Sequence, residues 1–333
     1  MYIYIIFFLI IVFFTKKNEL FNSSIYFVLT IFIFHAFRYN VGYDYPQYYK
    51  IFNELPVYHR SIFRLEPLNI LLIQFLKTIN IWWLGFTTYS FVTIYFTVKA
   101  YKKNTNWKYI YLFFISLPSY YLLSMSLVRQ FAAVGIVFYA YSISKDKKYF
   151  FSTILILLAS LIHLPAIVTL GGLFLTRISW NRKRIFLFGI SSFLFISFSY
   201  VFLINFLGYT RYINLLSFKY EGGNSILLLY SVFISLAIFK YKYLSISSKT
   251  FLPALVLGLS LFYFLHQFGQ IGQRIFIYFS YALPFIFYDI FKIYFKNYHK
   301  ITIYIFCLII FIFTIISANE LEVHPYIPYE TIF

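Results

Sequence analysis

The feature that most limits what this chain can become is the spacing of its basic residues. Lys and Arg gather at Lys16-Lys17, Lys99 to Lys108, Lys145 to Lys148, Arg177 to Arg184, Lys240 to Lys249 and Lys292 to Lys300, with long apolar stretches between. A helix needs about 20 apolar residues to cross a hydrocarbon core roughly 30 Å thick, and cytoplasmic loops collect Lys and Arg. Each cluster therefore closes a helical hairpin on the cytoplasmic side. Composition agrees, with 62% of residues in the AVILMFWYC set and 11% charged, against roughly 45–50% and about 25% in soluble domains. The expected fold is all-α, a polytopic membrane helix bundle of about twelve transmembrane helices. The spans read as 2–15, 20–37, 81–98, 107–125, 127–144, 149–163, 164–176, 185–205, 224–239, 250–268, 275–291 and 301–317. Both termini then lie outside, and residues 1–333 form a single integral membrane domain. The first span lacks the basic start and small-residue cleavage site of a signal peptide.

This topology divides the formal charge of +18 into two parts. Nineteen basic and three acidic residues fall inside, nine basic and seven acidic outside. The inner excess orients the bundle, so the basic balance implies no nucleic-acid partner. Outside, the cations are mainly arginine: Arg38, Arg60, Arg64, Arg129, Arg211 and Arg274. Arginine offers a planar fork of donors that matches phosphate, whereas lysine is a compact point charge. The single Cys307 allows neither an intrachain disulfide nor a thiol metal site. Phosphate-cradling glycine loops, a G-x-S-x-G elbow, an H-E-x-x-H zinc motif and a metal-ready carboxylate cluster are all missing from the sequence, so no cofactor and no metal are expected.

Arg129 stands 16 residues before Lys145, roughly 24 Å along a helix, and Arg274 stands 18 before Lys292, roughly 27 Å. Both fall near the outer interface, where an arginine either faces a cavity or partner or snorkels to lipid phosphate. Gln130 follows Arg129, and Gln273 precedes Arg274. Tyr149 to Thr176 is bounded by basic clusters at both ends and must fold back, with His163-Leu164-Pro165 as the turn. Each arm of about 14 residues reaches only ~21 Å, which leaves His163 inside the membrane, lining a cavity open to the outside.

The stretch 38–80 reads as an extracytoplasmic loop carrying a short interfacial or re-entrant helix that starts at Glu66-Pro67. Its first part runs Arg38-Tyr39-Asn40-Val41-Gly42-Tyr43-Asp44-Tyr45-Pro46-Gln47-Tyr48-Tyr49. Gly42 permits a tight turn that returns Asp44 toward Arg38 among aromatic rings. Tyrosines there either stack on sugars or belong to an interfacial aromatic belt.

Taken in order, Arg38-x-x-Val41-Gly42-x-Asp44-x-x-x-Tyr48, Glu66, Val128-Arg129-Gln130-x-Ala132, Ser160-Leu161-Ile162-His163 and Arg274 resemble the EpsG family. That family is grouped with Wzy-type polymerases of bacterial surface polysaccharides, with a GT-C-like helical architecture. The resemblance implies glycosyl transfer at the outer face of the bacterial cytoplasmic (inner) membrane, without nucleotide sugar or metal. A growing glycan on undecaprenyl diphosphate would pass to a lipid-linked repeat unit, giving O-antigen, capsule or exopolysaccharide. The partners implied are undecaprenyl-diphosphate-linked oligosaccharides and membrane lipid, with a chain-length regulator and a flippase beside them. Arg129 and Arg274 would hold the diphosphate, supported by Arg38 and Arg211, with Gln130 and Tyr48 also at the substrate. His163, Glu66 and Asp44 are the candidate bases, and Asp44 alternatively pairs with Arg38. A flippase or exporter of the same lipid-linked sugar is the competing reading. It would place charges at mid-membrane in symmetric halves, whereas these candidates sit on one side.

Overall fold

The computed structural model describes the whole chain apart from residues 17–22, 57–58, 208–222, 266–270, 321–325 and 333, together with the side chains of 199–207. It is almost entirely helical, with one two-stranded antiparallel ribbon among the described residues. Among the described residues, two helical stretches suffice by length and apolarity to cross a membrane, Ile246–Leu265 and Ile271–Glu320, and six more apolar helices are 10–17 residues long.

The chain divides into two compact units, Met1–Ile167 with Lys300–Phe333, and Val168–His299. In the first unit, α1 (Tyr2–Lys16) and α2 (Ser23–Ala36) lead to strand β1 (Arg38–Tyr39). Short helices α3 (Tyr45–Tyr49) and α4 (Arg60–Phe63) follow, then α5 (Pro67–Ile79) and α6 (Trp83–Tyr101). Next come α7 (Trp107–Ser116), α8 (Tyr121–Ser126), α9 (Val128–Ser144) and α10 (Tyr149–Ser160). The second unit holds α11 (Thr169–Leu175), α12 (Arg182–Leu207), α13 (Asn224–Phe239), α14 (Ile246–Leu265), α15 (Ile271–Phe279) and α16 (Leu283–Phe295). Helix α17 (His299–Glu320) and strand β2 (Glu330–Thr331) return to the first.

Helix α9 is the axis of the first unit. Every residue from Val128 to Ser144 is buried except Arg129 and Tyr139, as expected of a helix that is apolar all round. It lies against α6 closely enough that a Cβ on Gly135 would come within 3.0 Å of the Thr93 carbonyl oxygen. Thr93 and Thr97 hydrogen-bond back to carbonyls of their own helix, which hides their hydroxyls inside the packed unit.

The span expected at 107–125 is two helices. Pro118 lacks an N–H and forces Leu117 into extended backbone, so α7 stops at Ser116 and α8 begins anew at Tyr121. The stretch expected at 275–291 starts earlier, at Ile271, and is interrupted by a 3₁₀ turn at Ser280–Ala282 ahead of Pro284. The turn expected at His163 is present, with α10 ending at Ser160 and a 3₁₀ segment spanning Leu164–Val168.

In the second unit, Asp289 is buried and accepts from the Ser245 N–H at 2.9 Å and the Ser248 hydroxyl at 2.6 Å. A carboxylate on α16 thereby satisfies donors at the start of α14.

Candidate active site

Arg129 is the second residue of α9, just after the break at Leu127. The positive end of a helix disfavours a cation by roughly 0.3–1 kcal/mol, so the side chain needs partners. Its Nη1 lies 2.6 Å from Glu66 Oε2, and its Nε donates to the Tyr48 hydroxyl. The guanidinium carbon stands 5.7 Å from the Tyr48 ring centre. Of the five N–H donors of an arginine, three are left by these described partners. The Arg129 and Glu66 side chains keep 21% and 20% of their exposure, so the pair is reachable from one side.

Glu66 precedes Pro67, which opens α5 where a missing N–H costs nothing. Its Oε2 also accepts from Asn69 Nδ2 at 3.0 Å, and its Oε1 accepts from the Leu164 N–H at 3.2 Å. Asn69 is 1% exposed. Its amide donates further to the Ile162 carbonyl at 2.8 Å and accepts from the Tyr89 hydroxyl at 2.7 Å. One buried amide thus ties the carboxylate, helix α6 and the turn after α10. The Leu68 N–H, donating to the Leu161 carbonyl at 3.2 Å, adds a second strap to that turn.

The geometry joins Tyr48, Glu66 and Arg129 directly. It brings His163 to them through its neighbours, since Ile162 and Leu164 are both bound to this cluster. His163 itself is half-buried. Asp44 lies one turn before Tyr48, whose N–H donates to the Asp44 carbonyl at 3.1 Å. Burial pushes the Tyr48 phenol up against the opposing pull of Arg129, and the charges of Asp44 and Glu66 push it further the same way. The phenol is therefore the neutral acceptor of the Arg129 hydrogen bond.

A family model described as the EpsG family matches residues 22–331. This chain belongs to the EpsG family. EpsG-family proteins are Wzy-type polysaccharide polymerases, so the chain is a polymerase of polysaccharide synthesis and a membrane protein. No curated protein and no solved structure matches it.

The first motif of this EpsG-family chain has a different position from the one expected for a diphosphate ligand. Arg38 is fully buried, and its guanidinium donates to the carbonyls of Met125 at 2.8 Å, Val41 at 3.3 Å and His35. Burial pulls its pKa down to about 10. Gly42 has φ +99°, and a Cβ there would sit 2.6 Å from the Met125 carbonyl oxygen. The Tyr43 N–H donates to the Ser126 hydroxyl at 3.0 Å. Residues 38–43 therefore brace the α8–α9 break from which Arg129 projects. His35 links Ser90 and Ser124 at 2.7 Å each, the latter on α8.

Gln130 is buried at the head of α9. Arg274 belongs to the second unit, half-buried on α15, and Arg211 lies outside the described residues. Sequence reasoning missed Asn69 and Tyr89. Asn69 carried a signal, a polar residue three positions after Glu66 and hence on the same face of α5. Tyr89 carried none, being one of 35 tyrosines.

Proposed function

We propose that this EpsG-family chain joins surface-polysaccharide repeat units at the outer face of the bacterial cytoplasmic membrane, crossing it about twelve times. The donor is a growing glycan on undecaprenyl diphosphate, and the acceptor is a sugar hydroxyl of a lipid-linked repeat unit. The bond between the donor's anomeric carbon and its diphosphate oxygen breaks. A bond from that carbon to the acceptor oxygen forms, and the hydroxyl proton passes to a base. The observation that carries this reading is the half-open cluster of Arg129, Glu66 and Tyr48 strapped to the turn that holds His163.

In this reading Arg129 holds the departing diphosphate with the donors that Glu66 and Tyr48 leave over. Charge grows on the leaving group in the transition state, where a preoriented guanidinium acts most strongly. Glu66 has both oxygens engaged, so it serves first to aim Arg129 and to fix the turn. His163 on that turn is the leading base, with Glu66 and Asp44 behind it.

Complementation of a deletion strain tests the proposal. With Arg129→Ala or Glu66→Gln, long-chain polymer should fall by roughly a hundred-fold while single-repeat surface glycan accumulates. Persistence of long chains without that accumulation refutes the polymerase role. Loss of all surface glycan, with units retained inside, assigns the chain to flipping instead.

A further inference from the structure

The second unit holds a groove that shares no residue with the Arg129 cluster. A cavity of about 390 Å³ is walled by Phe186, Ile190 and Leu194 of α12, Leu227 and Ile234 of α13, and Tyr263 of α14. A neighbouring cavity of about 490 Å³ shares Phe186, Ser235 and Ile238 with it and ends at Arg182 and Lys183. Together they follow α13 from Leu227 to Phe239, a distance of ~18 Å at 1.5 Å per residue. The room comes from small residues. Ser231 and Ser235 line the α13 side, and Gly189 on α12 lacks the Cβ that would stand 3.2 Å from Val256 Cγ1 on α14.

One end of this apolar groove is cationic. The Arg182 guanidinium carbon lies 4.9 Å from the centre of the Phe239 ring, and Lys240 Nζ lies 5.5 Å from the same ring. Lys183 completes the set, and none of the three forms an ion pair with a described carboxylate. Arginine and lysine side by side suit phosphate oxygens. An arginine that merely snorkels to a lipid headgroup needs no groove behind it. Here the groove continues from the cations for most of the length of α13, and its walls are apolar.

We infer that this groove binds one anionic lipid, its phosphate headgroup held by Arg182, Lys183 and Lys240 and an acyl chain laid along α13 between α12 and α14. The inference does not rest on the polymerase reading. It makes the second unit a binder of a specific lipid, where an unselective lipid-facing surface would take neutral and anionic lipids alike.

Native mass spectrometry of the full chain in detergent, with dioleoylphosphatidylglycerol or dioleoylphosphatidylcholine added, tests it. One phosphatidylglycerol should stay bound per chain, with phosphatidylcholine held roughly ten-fold less or weaker still. Ser235→Phe plugs the junction of the two cavities from an exposed position, and the double substitution Arg182→Ala with Lys183→Ala removes the cations. Each should cut phosphatidylglycerol retention by about ten-fold or more. Equal retention of the two lipids overturns the inference. So does retention unchanged in either variant: an unaffected Ser235→Phe means that no chain occupies the groove. If Ser235→Phe fails to fold, the double variant decides, since loss of the preference for phosphatidylglycerol upholds the inference and its persistence overturns it.

Discussion

Two arginines that look alike in the sequence do different things at positions 38 and 129. Arg38 has no exposed surface and joins three main-chain carbonyls, whereas Arg129 keeps one side open and faces a carboxylate and a phenol. Replacing Arg38 by Met strands buried acceptors, which should cost about 3 kcal/mol or more. Arg129→Ala should change stability far less while removing polymer. Thermal unfolding of the purified chain, read beside glycan length, separates the two, and equal melting losses would contradict the assignment. Tyr89→Phe removes only the hydroxyl that orients Asn69, so polymer yield should drop roughly five-fold without loss of folded protein. Unaltered yield would mean that Glu66 needs no such support. Much of this cluster was legible in the sequence. Arg129, Glu66 and His163 stand out because charge and imidazole are rare among apolar residues and each has a helix boundary beside it. The distinction between Arg38 and Arg129 was not legible, because the partners of Arg38 include the carbonyl of a residue 87 positions away.

At the level of elements, the brace at residues 38–43 acts on a helix start. Gly42 combines a left-handed backbone with contact against the Met125 carbonyl, so Gly42→Ala adds both strain and overlap, about 1–3 kcal/mol. The relief available is a shift of the α8–α9 break, which would carry Arg129 away from Glu66. Polymerisation should therefore suffer more than the melting temperature. The reverse result, a large melting loss with normal chain length, would show that the brace serves packing alone. Helix positions were legible from hydropathy and basic punctuation, and the turn at His163 from the proline after it. The division of 107–125 was underread, although Pro118 was there to mark it. The β1–β2 ribbon, pairing Arg38 with Thr331 and Tyr39 with Glu330, lies beyond any local pattern, since its strands are two residues each and separated by most of the chain.

For the whole molecule, topology is the property the proposed chemistry depends on most. Cys307 is buried, so a Cys307→Ser background leaves introduced thiols as the labelled sites. In intact cells an impermeant maleimide should modify cysteines placed at Tyr43 and Arg60 and spare those at Lys103 and Lys148. The opposite pattern inverts the bundle and removes the active face from the outside. Hydropathy runs unbroken across the division between Ile167 and Val168, which explains why composition marks no second unit there. The first unit is also discontinuous in the chain. Phe8 packs on Phe311 with ring centres 5.4 Å apart, and the Tyr4 hydroxyl donates to the Tyr326 carbonyl at 2.7 Å. In a chain inserted as it is translated, α1 and α2 leave the ribosome long before α17, the helix that completes their packing. The unit that carries the candidate site is thus begun first and finished last, and its nascent helices must wait in the membrane, open to chaperones and proteases, while the whole second unit is made.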